Sequence, residues 1–218
     1  MDKVMDKNEQ NVLQELGAAA AERGGIHCVS IIGQIEGHQV LPEDSKTTKY
    51  EHLMPMLAAM EESEDIKAVL FLINTAGGDV DAGLGLAELI SGMTKPTASL
   101  VLGGSHSIGV PLAVAAKRSF IVPSAAMIVH PVRLTGMVIG TEQTYNYFRS
   151  IEERILGFVC SHSGISREKL RELMHAGEDM ANDRGSVISG SEAVELGIID
   201  ALGSLSEALA YLHGEISG

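Results

Sequence analysis

Five short apolar runs punctuate the chain, each bounded by glycine, proline or polar residues. Cys28 to Ile32, Ala68 to Ile73, Thr97 to Leu102, Phe120 to Pro123 and Ala126 to Val129 have the length and composition of strands. Between them the apolar positions recur at helical spacing. Leu53, Leu57 and Met60 share one helical face, with Pro55 kinking that segment or marking its early turns. Leu84, Leu86, Leu89 and Ile90 mark a second helix. The longest helix runs from about Thr141 to Ser163, where Phe148, Ile151, Ile155 and Phe158 recur before Gly164 supplies a stop. A last helix, Ser206 to Leu212, follows the turn around Gly203. Alternation of strands and helices predicts an α/β domain. Residues 1–26 are polar, with a weak apolar stripe at Val12, Leu13 and Leu16, and are expected to form an arm ahead of a single domain over 27–218.

Composition narrows the partners. With 218 residues, 45% of them hydrophobic, the chain can bury one substantial core. Its 16 basic and 29 acidic side chains give a net charge of -13, which repels a phosphate backbone, so no nucleic acid is expected as a partner. The longest apolar runs, Ala68 to Ile73 and Val110 to Ala116, fall far short of the roughly 20 residues that span a bilayer. Met1 to Gln10 is charged and lacks a signal peptide's apolar centre, so the expectation is a soluble, cytoplasmic protein with no membrane span. Cys28 and Cys160 are too few and too far apart for a disulfide scaffold or a cysteine-rich metal site, and read as reduced, buried thiols.

Three segments carry candidate chemistry. Asn74-Thr75-Ala76-Gly77-Gly78 follows an apolar strand and precedes a Leu-rich helix. A glycine pair there leaves main-chain amides bare enough to face an anion, although an isolated Gly-Gly more often marks only a tight turn. Neither a Walker loop nor a dinucleotide fingerprint is matched. Gly103-Gly104-Ser105-His106-Ser107-Ile108-Gly109 crowds small residues around a hydroxyl at the opening of a helix. Taken alone, Ser105 or Ser107 reads as a helix cap, and the pattern is not a Gly-x-Ser-x-Gly elbow. Ala126-Met127-Ile128-Val129-His130-Pro131 is an apolar strand ending in one histidine, where proline forces the chain out of the sheet. An imidazole at that terminus is placed to accept a serine proton, against the plainer reading of a strand-end side chain.

Gly33-Gln34-Ile35, the Asn74 to Gly78 segment, Ser107-Ile108-Gly109, the Pro123 to Pro131 strand, and Ser189-Gly190-Ser191-Glu192-Ala193 through Gly197-Ile198-Ile199-Asp200 follow one another in an order that resembles the ClpP family of serine peptidases, over about residues 27 to 203. Within it the pattern is most similar to the shorter, divergent TepA-like (translocation-enhancing protein) branch. The resemblance implies a ClpP/crotonase-like α/β fold of repeated β-β-α units, a single domain with a protruding helical handle in the Thr141 to Ser163 segment. It implies Ser107 as nucleophile, His130 as general base, and the amides of Gly78 and Ile108 as oxyanion hole. The position matching the family's acid most directly is Gly185, so the acid falls to Asp183, two residues earlier, with Asp179 behind it.

Such a peptidase needs no metal or organic cofactor. The resemblance implies unfolded polypeptide or peptide substrates, a ring-shaped homo-oligomer enclosing the active sites, and a separate unfoldase ATPase as a possible partner. Two departures stand out. His38 to Lys49 is a polar insertion expected to form a surface loop, and His106 takes the place of a small residue beside the nucleophile, either lining the substrate channel or standing by. Two other readings remain open: a ClpP-like scaffold that does not cut, favoured by the displaced acid, and a crotonase-like acyl-CoA enzyme, disfavoured by the Ser107 and His130 pair.

Overall fold

Ala68 to Ile73 has no polar position on either side, so the strand that contains it must be covered on both faces. The structure, a computed structural model, describes residues 18–20, 25–133, 140–176 and 185–218. Its strands are β1 (Ala18–Ala20), β2 (Ile26–Glu36), β3 (Thr47–Lys49), β4 (Ala68–Gly78), β5 (Thr97–His106), β6 (Arg118–Ile121), β7 (Ala126–Val129), β8 (Ser186–Ser189) and β9 (Ala201–Leu202). Its helices are α1 (Tyr50–Glu62), α2 (Val80–Ser91), α3 (Gly109–Val114), α4 (Thr141–Ser161), α5 (Arg167–His175), α6 (Gly190–Glu195) and α7 (Leu205–Ser217).

All the described strands join one sheet, whose main path runs β1-β2-β4-β5-β6-β9. Pairing is parallel except for β1 against β2 and β8 against β7. Alternate residues of the central strands feed two cores. Val69, Phe71, Ile73 and Val101 pack among the helices α1 to α6, while Ala68, Leu70, Ala98 and Leu100 face Ala208 and Leu212 of α7. Both faces of β4 are thereby removed from water, as its sequence requires.

Two strands run further than their apolar runs. β4 continues through Gly78 and β5 through His106, so the glycine segments read as turns are strand extensions. At its far end β5 also changes partner. Ala98 to Val101 pair with β6, whereas Gly104 to His106 pair with β7. This fork brings the end of β7 beside the end of β5.

Pro55 sits in the second turn of α1. The longest helix, α4, has 21 residues and so extends about 30 Å. Its buried residues, Ile151, Leu156, Phe158 and Val159, all lie beyond residue 150, and the first half stands off the core as a handle. The His38 to Lys49 insertion is not wholly a loop. Its last three residues form β3 against β2, where the Thr48 hydroxyl accepts the Ile32 amide and donates to the Ile32 carbonyl, each at 2.8 Å. Cys28 and Cys160 are free and half-buried. No helix among the described residues is long and apolar enough to cross a membrane. Val12, Leu13 and Leu16 lie outside the described residues.

Candidate active site

The ends of β4, β5 and β7 meet at one place, and small side chains allow it. The β4 to β5 register slips between Ile73 and Thr75, and the Asn74 side chain fills the gap by accepting the Gly104 amide at 3.0 Å. Thr75, 2% exposed, donates its hydroxyl to the Gly33 carbonyl at 2.6 Å and accepts the Gly77 amide at 3.1 Å. Beyond that pair of bonds Gly77 passes close to the end of β5, while Gly78 lies against Ile35 of β2. Both glycines have positive φ, 91° and 153°, a region other residues enter only with strain.

Ser107 follows β5 directly. It is the one non-glycine residue with positive φ among those described, at 56°. A bulk serine does not adopt this conformation without support, since it costs on the order of 1 kcal/mol or more. Support comes from three sides: the Ser107 amide donates to the Ile128 carbonyl of β7 at 2.7 Å, its carbonyl accepts the Val110 amide at 3.0 Å, and the buried Ser105 hydroxyl donates to the Gly109 carbonyl at 2.6 Å. Neither serine caps α3. The cap position belongs to Ile108, which has no capping side chain. Among the described residues the Ile108 amide has no backbone partner outside the helices and strands.

His130 follows β7 as Ser107 follows β5. Its Nδ1 lies 2.7 Å from the carbonyl oxygen of Pro131. A carbonyl only accepts, so Nδ1 carries the proton and the lone pair of the neutral ring is on Nε2. Ser107, His130 and Gly78 line one cavity of about 160 Å³. The remainder of its wall is largely apolar and includes Val110, Val129, Ile155, Val159 and Met174. Of the residues singled out in the sequence, Ser107, His130 and Gly78 thus line one cavity, and Ile108 follows Ser107 directly in the chain. Asp183 and Asp179 lie outside the described residues.

His106 does not line this cavity. Its ring folds over Gly104, with a buried Nδ1 that has no hydrogen-bond partner among the described residues, and burial pushes its pKa below the ordinary histidine value. The apolar wall supplied by α4 and α5 escaped the sequence reading. Helix α5 buries only Leu170 and Met174, spaced by four, and its one local signal is Ser166, whose hydroxyl accepts the Lys169 amide.

A strand-end serine with positive φ and a strand-end histidine thus share one cavity with Gly78 of the glycine segment. The sequence model of the Clp protease family matches residues 23–205, and the chain belongs to that family. It is 49% identical over 203 residues to the Translocation-enhancing protein TepA of Halalkalibacterium halodurans, an alignment covering 92% of this chain and 79% of that protein. It is 29% identical over 140 residues to the ATP-dependent Clp protease proteolytic subunit 1 of Chlamydia muridarum, covering 62% of this chain and 69% of that protein. The α/β sheet with its helical handle is therefore a ClpP-like fold.

Proposed function

We propose that this chain is a serine endopeptidase that hydrolyses peptide bonds in unfolded proteins or peptides. The observation that carries the reading is the single cavity shared by Ser107, His130 and Gly78, with Ser107 held at φ 56° at its edge. Ser107 Oγ attacks the peptide carbonyl while its proton passes to His130 Nε2, and a new C–O bond forms as the carbonyl π pair moves to oxygen. The amides of Gly78 and Ile108 receive that oxyanion, each such donor being worth roughly 2.7 to 4 kcal/mol in the transition state. His130 then gives the proton to the leaving amine, and water, deprotonated by the same ring, releases the acyl group.

The apolar wall of the cavity accepts an uncharged side chain next to the bond cut. The exposed first half of α4 fits a contact between copies of the chain, and supports a homo-oligomeric ring with its sites facing an inner chamber. A separate unfoldase ATPase would supply extended substrate to such a chamber.

A serine-directed fluorophosphonate tests the reading. Ser107 takes the label, Ser107→Ala abolishes it, and His130→Ala slows it by orders of magnitude. Folded protein that takes no label is a scaffold, and tight acyl-CoA binding in its place points to crotonase-like chemistry.

A further inference from the structure

We infer that the main-chain carbonyl of Pro131, not a side-chain carboxylate, orients the catalytic ring of His130; the inference rests on the peptidase reading above. The acceptor is in place, since Pro131 O lies 2.7 Å from His130 Nδ1. Proline fixes its own φ, which removes one of the two rotations by which that carbonyl could swing away from the ring of the preceding residue.

The residue across the sheet from the histidine has no room for a side chain of its own. β7 pairs antiparallel with β8, with Val129 opposite Ser186, so Gly185 stands across from His130. Gly185 has φ +139°, and a Cβ built on it would lie 2.4 Å from the Val129 carbonyl oxygen and 2.8 Å from the His130 Cβ. The position that matches the family's acid most directly is therefore bare by necessity, and the His130 Nδ1 proton is engaged elsewhere. A neutral carbonyl fixes the tautomer and the ring plane as a carboxylate does. It supplies no negative charge to the imidazolium, so the chain is expected to be a slow hydrolase with an intact nucleophile.

Replacing Val132 by its α-hydroxy counterpart turns the Pro131–Val132 amide into an ester, whose carbonyl is a weaker acceptor. Fluorophosphonate labelling of Ser107 then slows about tenfold, and the His130 Nδ1 proton shifts upfield in solid-state NMR. An unchanged rate and shift overturn the inference. The triple variant Glu178→Gln, Asp179→Asn, Asp183→Asn tests the carboxylate directly. Its labelling rate falls less than about tenfold, whereas a loss on the order of 10⁴, as for an orienting aspartate in a serine triad, overturns the inference and leaves the peptidase reading standing. Histidine ¹⁵N spectra separate the two claims. A neutral His130 protonated at Nδ1 in a chain whose Ser107 takes no label sinks the peptidase reading and keeps the carbonyl contact; protonation at Nε2 sinks the contact.

Discussion

The α-carbon of Gly77 lies against Ser107 so closely that a Cβ added to it would come within 2.8 Å of the Ser107 Cβ and 3.4 Å of the hydroxyl oxygen. The same atom would sit 2.8 Å from the His106 carbonyl, and the φ of +91° disfavours any side chain there. Gly77→Ala therefore meets both backbone strain and a collision with the nucleophile. We expect a loss of about 1 to 3 kcal/mol in urea denaturation. Ser107 labelling should slow by about 100-fold, because a displacement of roughly 1 Å is enough to misalign attack. Labelling at the wild-type rate would mean that Gly77 does not set the position of Ser107.

Thr75 holds that glycine in place through its hydroxyl, and the methyl group of the same side chain packs under Gly109 at the start of α3. Thr75→Val keeps the shape and leaves the Gly33 carbonyl and the Gly77 amide without their buried partner. Such orphaned groups cost about 1 to 3 kcal/mol each. Thr75→Ser, which keeps the hydroxyl, should recover most of the stability in thermal melts. Equal melting of the serine and valine variants would assign the residue's contribution to packing alone.

The parts of this site differ in how openly the sequence displays them. The centre of β4 is legible because apolar residues on both faces leave no alternative to burial, and that of β5 because Ala98, Leu100 and Val101 surround its buried Ser99. Their ends are not, since Asn74 and Thr75 continue the strands with side-chain bonds to main chain, which no periodicity records. Ser107 and His130 are legible as strand-end residues of the right chemistry. Their meeting depends on the fork in β5, whose two partners, β6 and β7, are separated by only the turn between Ile121 and Ala126. Helix α5 is faint because two buried residues in nine make a narrow stripe. The Pro131 carbonyl is invisible in any sequence, because every residue has one.

The apolar wall of the cavity should decide which peptides are cut. Val159 is 1% exposed and lines that wall from α4. Val159→Phe adds bulk to that wall and leaves the chemistry of Ser107 and His130 unaltered. For a peptide with a leucine-sized side chain at the bond cut, kcat/KM should fall by about 10- to 200-fold, the range of one or two misfitting methylenes. A fluorophosphonate with a small alkyl group should label Ser107 within about threefold of the wild-type rate. Parallel losses for both reagents would show that the substitution disturbs the nucleophile instead.

Glu36 ties the polar insertion to the sheet, and its ionisation makes that tie pH-dependent. The carboxylate is 3% exposed, accepts the Leu41 amide at 3.3 Å and lies 3.7 Å from Lys49 Nζ. Hydrogen bonding from Thr47, aided by the Leu41 amide and the Lys49 charge and opposed by burial, holds its pKa below the ordinary value of 4.5. A depressed carboxyl stabilises the folded chain fully above its unfolded pKa, and that stabilisation is lost as the pH falls from there through the folded value. Glu36→Gln keeps the size and an acceptor oxygen but cannot ionise. Its melting temperature should lie below that of the wild type at pH 7, and the gap should narrow once the pH drops under 4.5. A gap that stays constant from neutral to acid pH would show that the charge on Glu36 contributes nothing to holding β3 in place.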